Sequence, residues 1–156
     1  MTGENISKMI RLSVDKRDRL KEIFNLTKDQ EEVIKEDRTE DLGKLLSKKD
    51  KLMEMVDDLD REFISLYEAV KVKEQVDSFY DLDVKKYGQL RDLKDIVGDI
   101  NKILDQLASL DKRNIESMKA SLDRTKSDLK QVKEVQRAYK GYSYEESGSI
   151  LIDEKK

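Results

Sequence analysis

The stretch Leu45-Leu46-Ser47-Lys48-Lys49-Asp50-Lys51-Leu52 opens the pattern that decides the fold. From here apolar residues recur at alternating steps of three and four, with a single gap at Lys49. Such a seam stays on one face only if the helix supercoils gently against a partner, so we predict a long helix over about residues 39–77. A capping box between Asp37 and Glu40 is a candidate start. The seam consists of Leu45, Leu52, Val56, Leu59, Phe63, Leu66 and Val70.

Helical spacing also dominates the chain on both sides of this seam. We predict a first helix over about residues 5–36, less tightly packed where Val14 to Leu20 is crowded with charge. A third helix is predicted over about residues 83–140, with Gly98 inside it and a slip of register between Leu107 and Met118. The breaks between the helices are short, which favours antiparallel neighbours. The expected fold is all-α: one domain, residues 1–140, forming an elongated antiparallel three-helix hairpin bundle.

The composition excludes several classes of function. The 156 residues include no Cys, His, Pro or Trp, so zinc fingers, disulfide frameworks, thiolate nucleophiles and imidazole bases are ruled out. A net charge of -3 gives no strong field for nucleic acid, and no apolar run is long enough to insert in a membrane. The first residues lack the pattern of a secretory signal. We therefore expect a cytoplasmic protein that does not bind nucleic acid and does not insert in a membrane.

Acidic residues on the helices are the only candidates for catalysis. Asp95 and Asp99 stand four apart, a spacing that pairs carboxylates on a helix face. Carboxylate-bridged metal sites in helical bundles usually add His, which this chain lacks. Acidic residues interleaved with Lys are most often a solvated face. We expect no enzyme activity, no metal and no cofactor.

The unequal helix lengths point to a binding surface. If helices two and three turn near residue 80, the start of helix two at Thr39 lies beside Ser121, and helix three continues for about 18 residues, or ~27 Å, beyond it. This overhang is apolar on one side and carries Lys126, Lys130 and Lys133. An uncovered apolar stripe on a basic helix suits an acidic amphipathic partner helix. Self-association, folding back and a frayed helix end are the alternatives. The candidate residues are Leu122, Leu129, Val132, Val135 and Tyr139.

The sequence changes character at Gly141. Residues 141–149 are rich in Ser, Gly and Tyr and have no helical period, and Ile150-Leu151-Ile152 follows. We expect residues 141–156 to form a flexible tail, with a short apolar hook for a partner as the alternative.

The arrangement resembles the FlgN-type flagellar export chaperones. The resemblance rests on three features: the Leu-Leu-x-x-Lys-x-x-Leu pattern of residues 45–52, the end of helix three over residues 132–139, and the tail. The tail contains aromatic and Ser residues and has Ile152-Asp153 near its end. It implies a chaperone that binds the C-terminal helical segments of hook-associated (hook–filament junction) proteins, prevents their premature assembly and delivers them to the export gate. It also implies a substrate site near the end of helix three and a tyrosine for docking at the gate, which Tyr139 or Tyr142 could supply.

Two other interpretations stay open from the sequence. The FliT-type filament-cap chaperones share the architecture. A structural coiled-coil scaffold or adaptor would use the overhang to form a homodimer instead of binding a substrate.

Overall fold

A computed structural model describes residues 1–140, with the side chains of residues 139 and 140 left undescribed. Three long helices account for most of it: α1 (Thr2–Lys35), α2 (Thr39–Glu74) and α3 (Leu90–Lys140). A 3₁₀ helix, Phe79–Asp81, lies between α2 and α3. Over these residues there is no strand, so the predicted all-α class is confirmed. The predicted tail, residues 141–156, and with it Tyr142, lies outside the described residues.

Contacts between side chains establish the direction of the helices. Thr2 at the start of α1 donates a hydrogen bond to Glu74 at the end of α2, so these two helices are antiparallel. Lys49 of α2 pairs with Asp111 of α3 at 3.2 Å. Both residues are 31 positions from residue 80 (80 − 49 and 111 − 80), which is the register predicted for an antiparallel hairpin turning there. The three-helix hairpin bundle is thus confirmed.

α1 is the most deeply buried of the three helices. Leu20 and Ile23 are almost fully buried and pack with Val56 of α2 and Ile100 and Leu107 of α3. A second cluster of Ile6, Val70, Leu82 and Leu90 closes the other end. The prediction that the middle of α1 is less tightly packed is therefore wrong, and two of its charged residues pair with the neighbouring helices. Lys16 pairs with Asp60 at 2.7 Å, and Arg17 with Asp99 at 3.3 Å.

The apolar seam of α2 faces the bundle but is incompletely covered. Only Val56 and Val70 are buried, and the other five seam residues are half-buried. Two of these half-buried residues, Leu59 and Phe63, line an open depression together with residues of α1 and α3.

The turn between α1 and α2 differs from the predicted capping box. Asp37 adopts a left-handed conformation (φ 54°), and Arg38 takes the N-cap position of α2, where its side chain caps no backbone amide but pairs with Asp41 in the first turn. The chain leaves α1 through hydrogen bonds from the Asp37 and Arg38 amides to the carbonyls of Ile34 and Val33. Asp37 therefore ends α1 instead of capping α2.

α3 begins at Leu90, later than the predicted residue 83. Two side chains hold the preceding residues in turns: Ser78 Oγ accepts from the Tyr80 amide, and Asp83 Oδ1 accepts from the Lys85 amide. Such local bonds from Ser and Asp compete with helix formation. The connection from α2 consequently runs from Gln75 to Gln89.

A polar cluster ties the start of α1 to the end of α2. Glu74 accepts hydrogen bonds from Thr2 Oγ1 at 2.8 Å and from Tyr87 Oη at 3.1 Å. The Thr2 bond is the largest cause holding the pKa of Glu74 below its usual value, with Tyr87, Lys86 and Lys73 adding to it against partial burial. The ionised carboxylate is therefore the form that these contacts favour.

The chain divides into two compact units. The first is Met1–Asn114, and the second begins at Ile115, inside α3. Within the first unit, Gly98 sits in an uninterrupted helix, as predicted. In the part of the chain that the structure describes, no helix is long and apolar enough to cross a bilayer.

Candidate partner-binding surface

The apolar face of α3 changes from buried to exposed after Asn114. Leu107, Leu110 and Asn114 are buried, with 8%, 3% and 1% of their surface exposed. The apolar residues that follow are 38–55% exposed. We call this set the C-terminal stripe: Ile115, Met118, Leu122, Leu129, Val132 and Val135.

Most of the stripe keeps the spacing of a helix seam. Ile115, Met118, Leu122, Leu129 and Val132 fall at alternating steps of three and four once Thr125 is included. Thr125 meets its own hydrogen-bonding need by donating to the Ser121 carbonyl at 3.0 Å. The hydroxyl of this threonine therefore needs no further polar contact. The stripe thus keeps a seam-like spacing from Ile115 to Val132.

Basic residues line one flank of the stripe only. Lys119, Lys126 and Lys133 are spaced by seven, so at 100° per residue they form a row along the same side. The corresponding positions on the other flank are Ser121 and Asp128. Within residues 115–138, none of the three lysines forms a salt bridge in the structure. The surface thus offers an apolar centre with unpaired positive charge on one edge.

The structure places the residues predicted for binding as follows. Leu122, Leu129, Val132 and Val135 are all exposed on the second unit. Tyr139 lies in α3 but its side chain is not described, and Tyr142 lies outside the described residues. Their role in binding stays a prediction.

Two features of the surface were missed from the sequence. Ile115 and Met118 are exposed with the predicted residues but are not among the candidates from the sequence. The sequence analysis includes Lys126 and Lys133 but not the row of lysines at a spacing of seven. Counting charges by heptad position would have found it.

The two acidic residues considered for catalysis, Asp95 and Asp99, are both exposed on α3. Asp99 pairs with Arg17 of α1 at 3.3 Å. Across residues 1–140, no group of three or more acidic side chains is placed to hold a metal ion. The exposed C-terminal stripe is therefore the surface that we develop as a candidate site.

Comparison with known proteins gives one result. A profile of the FlgN protein family matches residues 1–150. Searches of curated proteins and of solved structures returned no match. The FlgN family is a family of flagellar chaperones and not of enzymes. Because the match spans nearly the whole chain, this protein belongs to the FlgN family.

Proposed function

We propose that this protein is a cytoplasmic flagellar export chaperone that binds the C-terminal helical segment of hook–filament junction proteins. Binding prevents premature assembly of the substrate, and the complex is delivered to the export gate. The substrate helix lies on the C-terminal stripe of α3.

The exposed stripe is the observation that carries the proposal. The apolar face of α3 is buried up to Asn114, and beyond it apolar residues keep helical spacing although they are 38–55% exposed. Exposed apolar faces of this kind mark interaction sites, and an amphipathic helix is the partner that fits an α-helical seam. In a chaperone family, the partner is a substrate held before assembly.

The lysine row defines the chemistry of the partner. A substrate helix on the stripe would place one of its own flanks beside Lys119, Lys126 and Lys133. We expect carboxylates at heptad spacing on that flank, because exposed ion pairs choose partner and register more than they add affinity. Ordering a flexible substrate segment costs free energy, so the affinity should be moderate and release feasible.

A coiled-coil scaffold that dimerises through the same stripe is the alternative function. In an antiparallel self-pair the same flank of each helix meets its copy, which would bring two lysine rows together. The charge pattern therefore disfavours that homodimer. Light scattering on the purified protein separates the two functions, since a chaperone with a vacant surface is a monomer and a scaffold is a constitutive dimer.

Calorimetry with matched variants tests the substrate site. The purified protein is titrated with the C-terminal helical segment of a hook–filament junction protein from the same organism. Leu122→Asp/Leu129→Asp puts two carboxylates in the stripe and should abolish binding. Ala120→Asp/Ser127→Asp puts the same two charges, also seven apart, on exposed positions away from the stripe, and should bind normally. Equal loss of binding in both variants would contradict a site on the stripe.

Delivery to the export gate calls for a separate test. Tyr139 and Tyr142 are the candidates for gate docking by resemblance to the family. Each is replaced by Ala in its own strain, and secretion of the substrate is measured beside binding in vitro. We expect one replacement to lower secretion while substrate affinity stays unchanged. Normal secretion of the substrate in both strains would refute docking at the export gate through these residues.

A further inference from the structure

A groove with an aromatic floor lies between α2 and α3, near their connecting turn in the first unit. It encloses about 610 Å³. The rings of Phe63, Tyr67 and Phe79 form its floor, with ring centroids 6.4 Å apart for the first pair and 4.4 Å for the second. Leu90 and Val97 line its α3 side. This volume lies within the range of about 300–1,000 Å³ that is typical of ligand pockets.

The groove continues along the bundle. A second depression of about 160 Å³ shares Phe63 and Val97 with the first and reaches Leu104. From Arg91 to Leu104 on α3 the two together span roughly 20 Å, at 1.5 Å per residue. A linear groove of this length matches about three to four turns of a helix, and it exceeds what one small molecule fills. Its shape therefore favours a peptide segment.

The charges of the groove are concentrated at one end. Arg91 and Lys94 border the aromatic half, both are exposed, and within residues 1–140 neither forms a salt bridge. The described lining of that half includes no carboxylate. At the other end, Lys16 is paired with Asp60 at 2.7 Å. An occupant would thus meet net positive charge at the turn end and a neutral pair at the far end.

An exposed tyrosine stands at the charged end. Tyr80 lines the aromatic half and is 87% exposed. Its backbone is held by the hydrogen bond from its amide to Ser78 Oγ. Aromatic and Arg side chains together are the residues that most often dominate binding energy in protein interfaces.

We propose that this groove is a second docking site, separate from the C-terminal stripe, for an acidic amphipathic segment of a partner protein. The apolar side chains of the segment lie on Phe63, Tyr67 and Phe79, and its carboxylates lie at one end, beside Arg91 and Lys94. The inference goes beyond the proposed function, because it assigns a site on residues 1–114 that needs no residue of the stripe.

A designed peptide tests the charge and shape of the site. The probe is a fluorescein-labelled amphipathic helix of about four turns, with Leu and Phe at a and d positions and Glu confined to its first turn. We expect saturable binding to the full chain by fluorescence anisotropy. Arg91→Glu/Lys94→Glu should weaken it by about tenfold or more. Lys102→Glu/Lys112→Glu, on exposed positions of α3 outside the groove, is the matched control and should bind as the unaltered protein does.

Several outcomes would overturn the proposal. Equal binding of a peptide with the same composition in scrambled order would show that binding does not depend on an amphipathic segment that fits the groove. An unchanged Kd in Arg91→Glu/Lys94→Glu would show that these two basic residues do not contribute to binding. Displacement of the peptide by octanoate at a lower concentration than by unlabelled peptide would assign the groove to a small apolar acid.

The stripe variant keeps the two sites distinguishable. In Leu122→Asp/Leu129→Asp, groove binding of the designed peptide should persist while binding of the hook–filament junction segment is lost. Loss of designed-peptide binding in this variant would place the peptide on the stripe and contradict a second site. A photo-crosslinking residue at position 80 provides an independent readout, since the peptide should crosslink there through its acidic end.

Discussion

Shortening two leucines of the stripe should separate stability from binding. We consider Leu122→Ala/Leu129→Ala, beside Leu107→Ala as the comparison from the core of the first unit. Leu122 and Leu129 are 55% and 53% exposed, whereas Leu107 is buried against α1 and α2. The same chemical change is thus made on the stripe and in the core of one helix.

The expected magnitudes follow from these exposures. Full burial of a leucine side chain contributes about 1.5–3 kcal/mol, so covering the exposed half of each should contribute about 0.8–1.6 kcal/mol to partner binding. The double variant should therefore lose about 1.5–3 kcal/mol of affinity, or roughly 10- to 150-fold in Kd. Its free energy of unfolding should change by only about 0.5 kcal/mol. Leu107→Ala should cost about 2–5 kcal/mol of unfolding free energy.

Urea denaturation and calorimetry on the same preparations measure both quantities. The pattern expected is a lowered urea midpoint for Leu107→Ala alone, and a raised Kd for Leu122→Ala/Leu129→Ala in a protein of normal stability. A double variant that unfolds as early as Leu107→Ala would show that these leucines are packed in the free protein. The reasoning from exposure would then fail.

Three further predictions concern stability. Asn114 is buried and donates to the Thr27 carbonyl at 3.0 Å, but its Oδ1 accepts no hydrogen bond from the described protein groups. Asn114→Leu should therefore leave the free energy of unfolding, measured by urea denaturation, unchanged or raise it by up to about 2 kcal/mol. A loss of about 2 kcal/mol would contradict this prediction. The pKa of Glu74 is lowered from the ordinary 4.5, mainly by the hydrogen bond from Thr2. The stability that ionised Glu74 contributes is therefore present above about pH 4.5 and is lost as the pH falls through the folded-state pKa. The difference in stability between the unaltered protein and Glu74→Gln should shrink on acidification, and a difference that stays constant with pH would refute this role of Glu74. Gly98→Ala adds a methyl group that meets nothing within 4 Å on an exposed helix position, so the melting temperature should rise by an amount equivalent to about 0.5–1 kcal/mol, and no rise would mean that the helix gains nothing from the alanine.

The helices and their directions followed from periodicity because the apolar spacing of this chain is regular. The seam of α2 led to the antiparallel hairpin, and the Lys49–Asp111 pair lies at the register that a turn near residue 80 requires. The start of α3 was placed too early because its turn depends on Ser78 and Asp83, whose side-chain bonds to the backbone leave no periodic signal.

How deeply α1 is buried between the other two helices was harder to predict from the sequence. Its buried face includes the small polar residues Ser13 and Thr27, which a count of apolar residues overlooks. Thr27 satisfies its hydroxyl by donating to the Ile23 carbonyl at 2.7 Å, so it is buried without an unpaired group. A polar residue with a local hydrogen bond thus serves as a core residue, and only the structure shows it.

Of the two proposed partner surfaces, one could be predicted from the sequence and the other could not. The stripe could be predicted, because helix lengths and periodicity together leave it without a partner from the same chain. The aromatic groove could not, because every seam residue of α2 was assumed to be covered by a neighbouring helix. Leu59 and Phe63 are half-buried and line an open depression with residues of α1 and α3, and no local sequence pattern records such a depression.

Amide hydrogen exchange on the full chain, with and without the C-terminal helical segment of a hook–filament junction protein, tests the central claim most directly. The proposed function predicts that the substrate slows exchange over residues 115–140, where the free helix lacks apolar cover, and leaves the core of residues 1–114 unchanged. Substrate binding that leaves residues 115–140 unprotected would contradict the assignment of the C-terminal stripe as the substrate site.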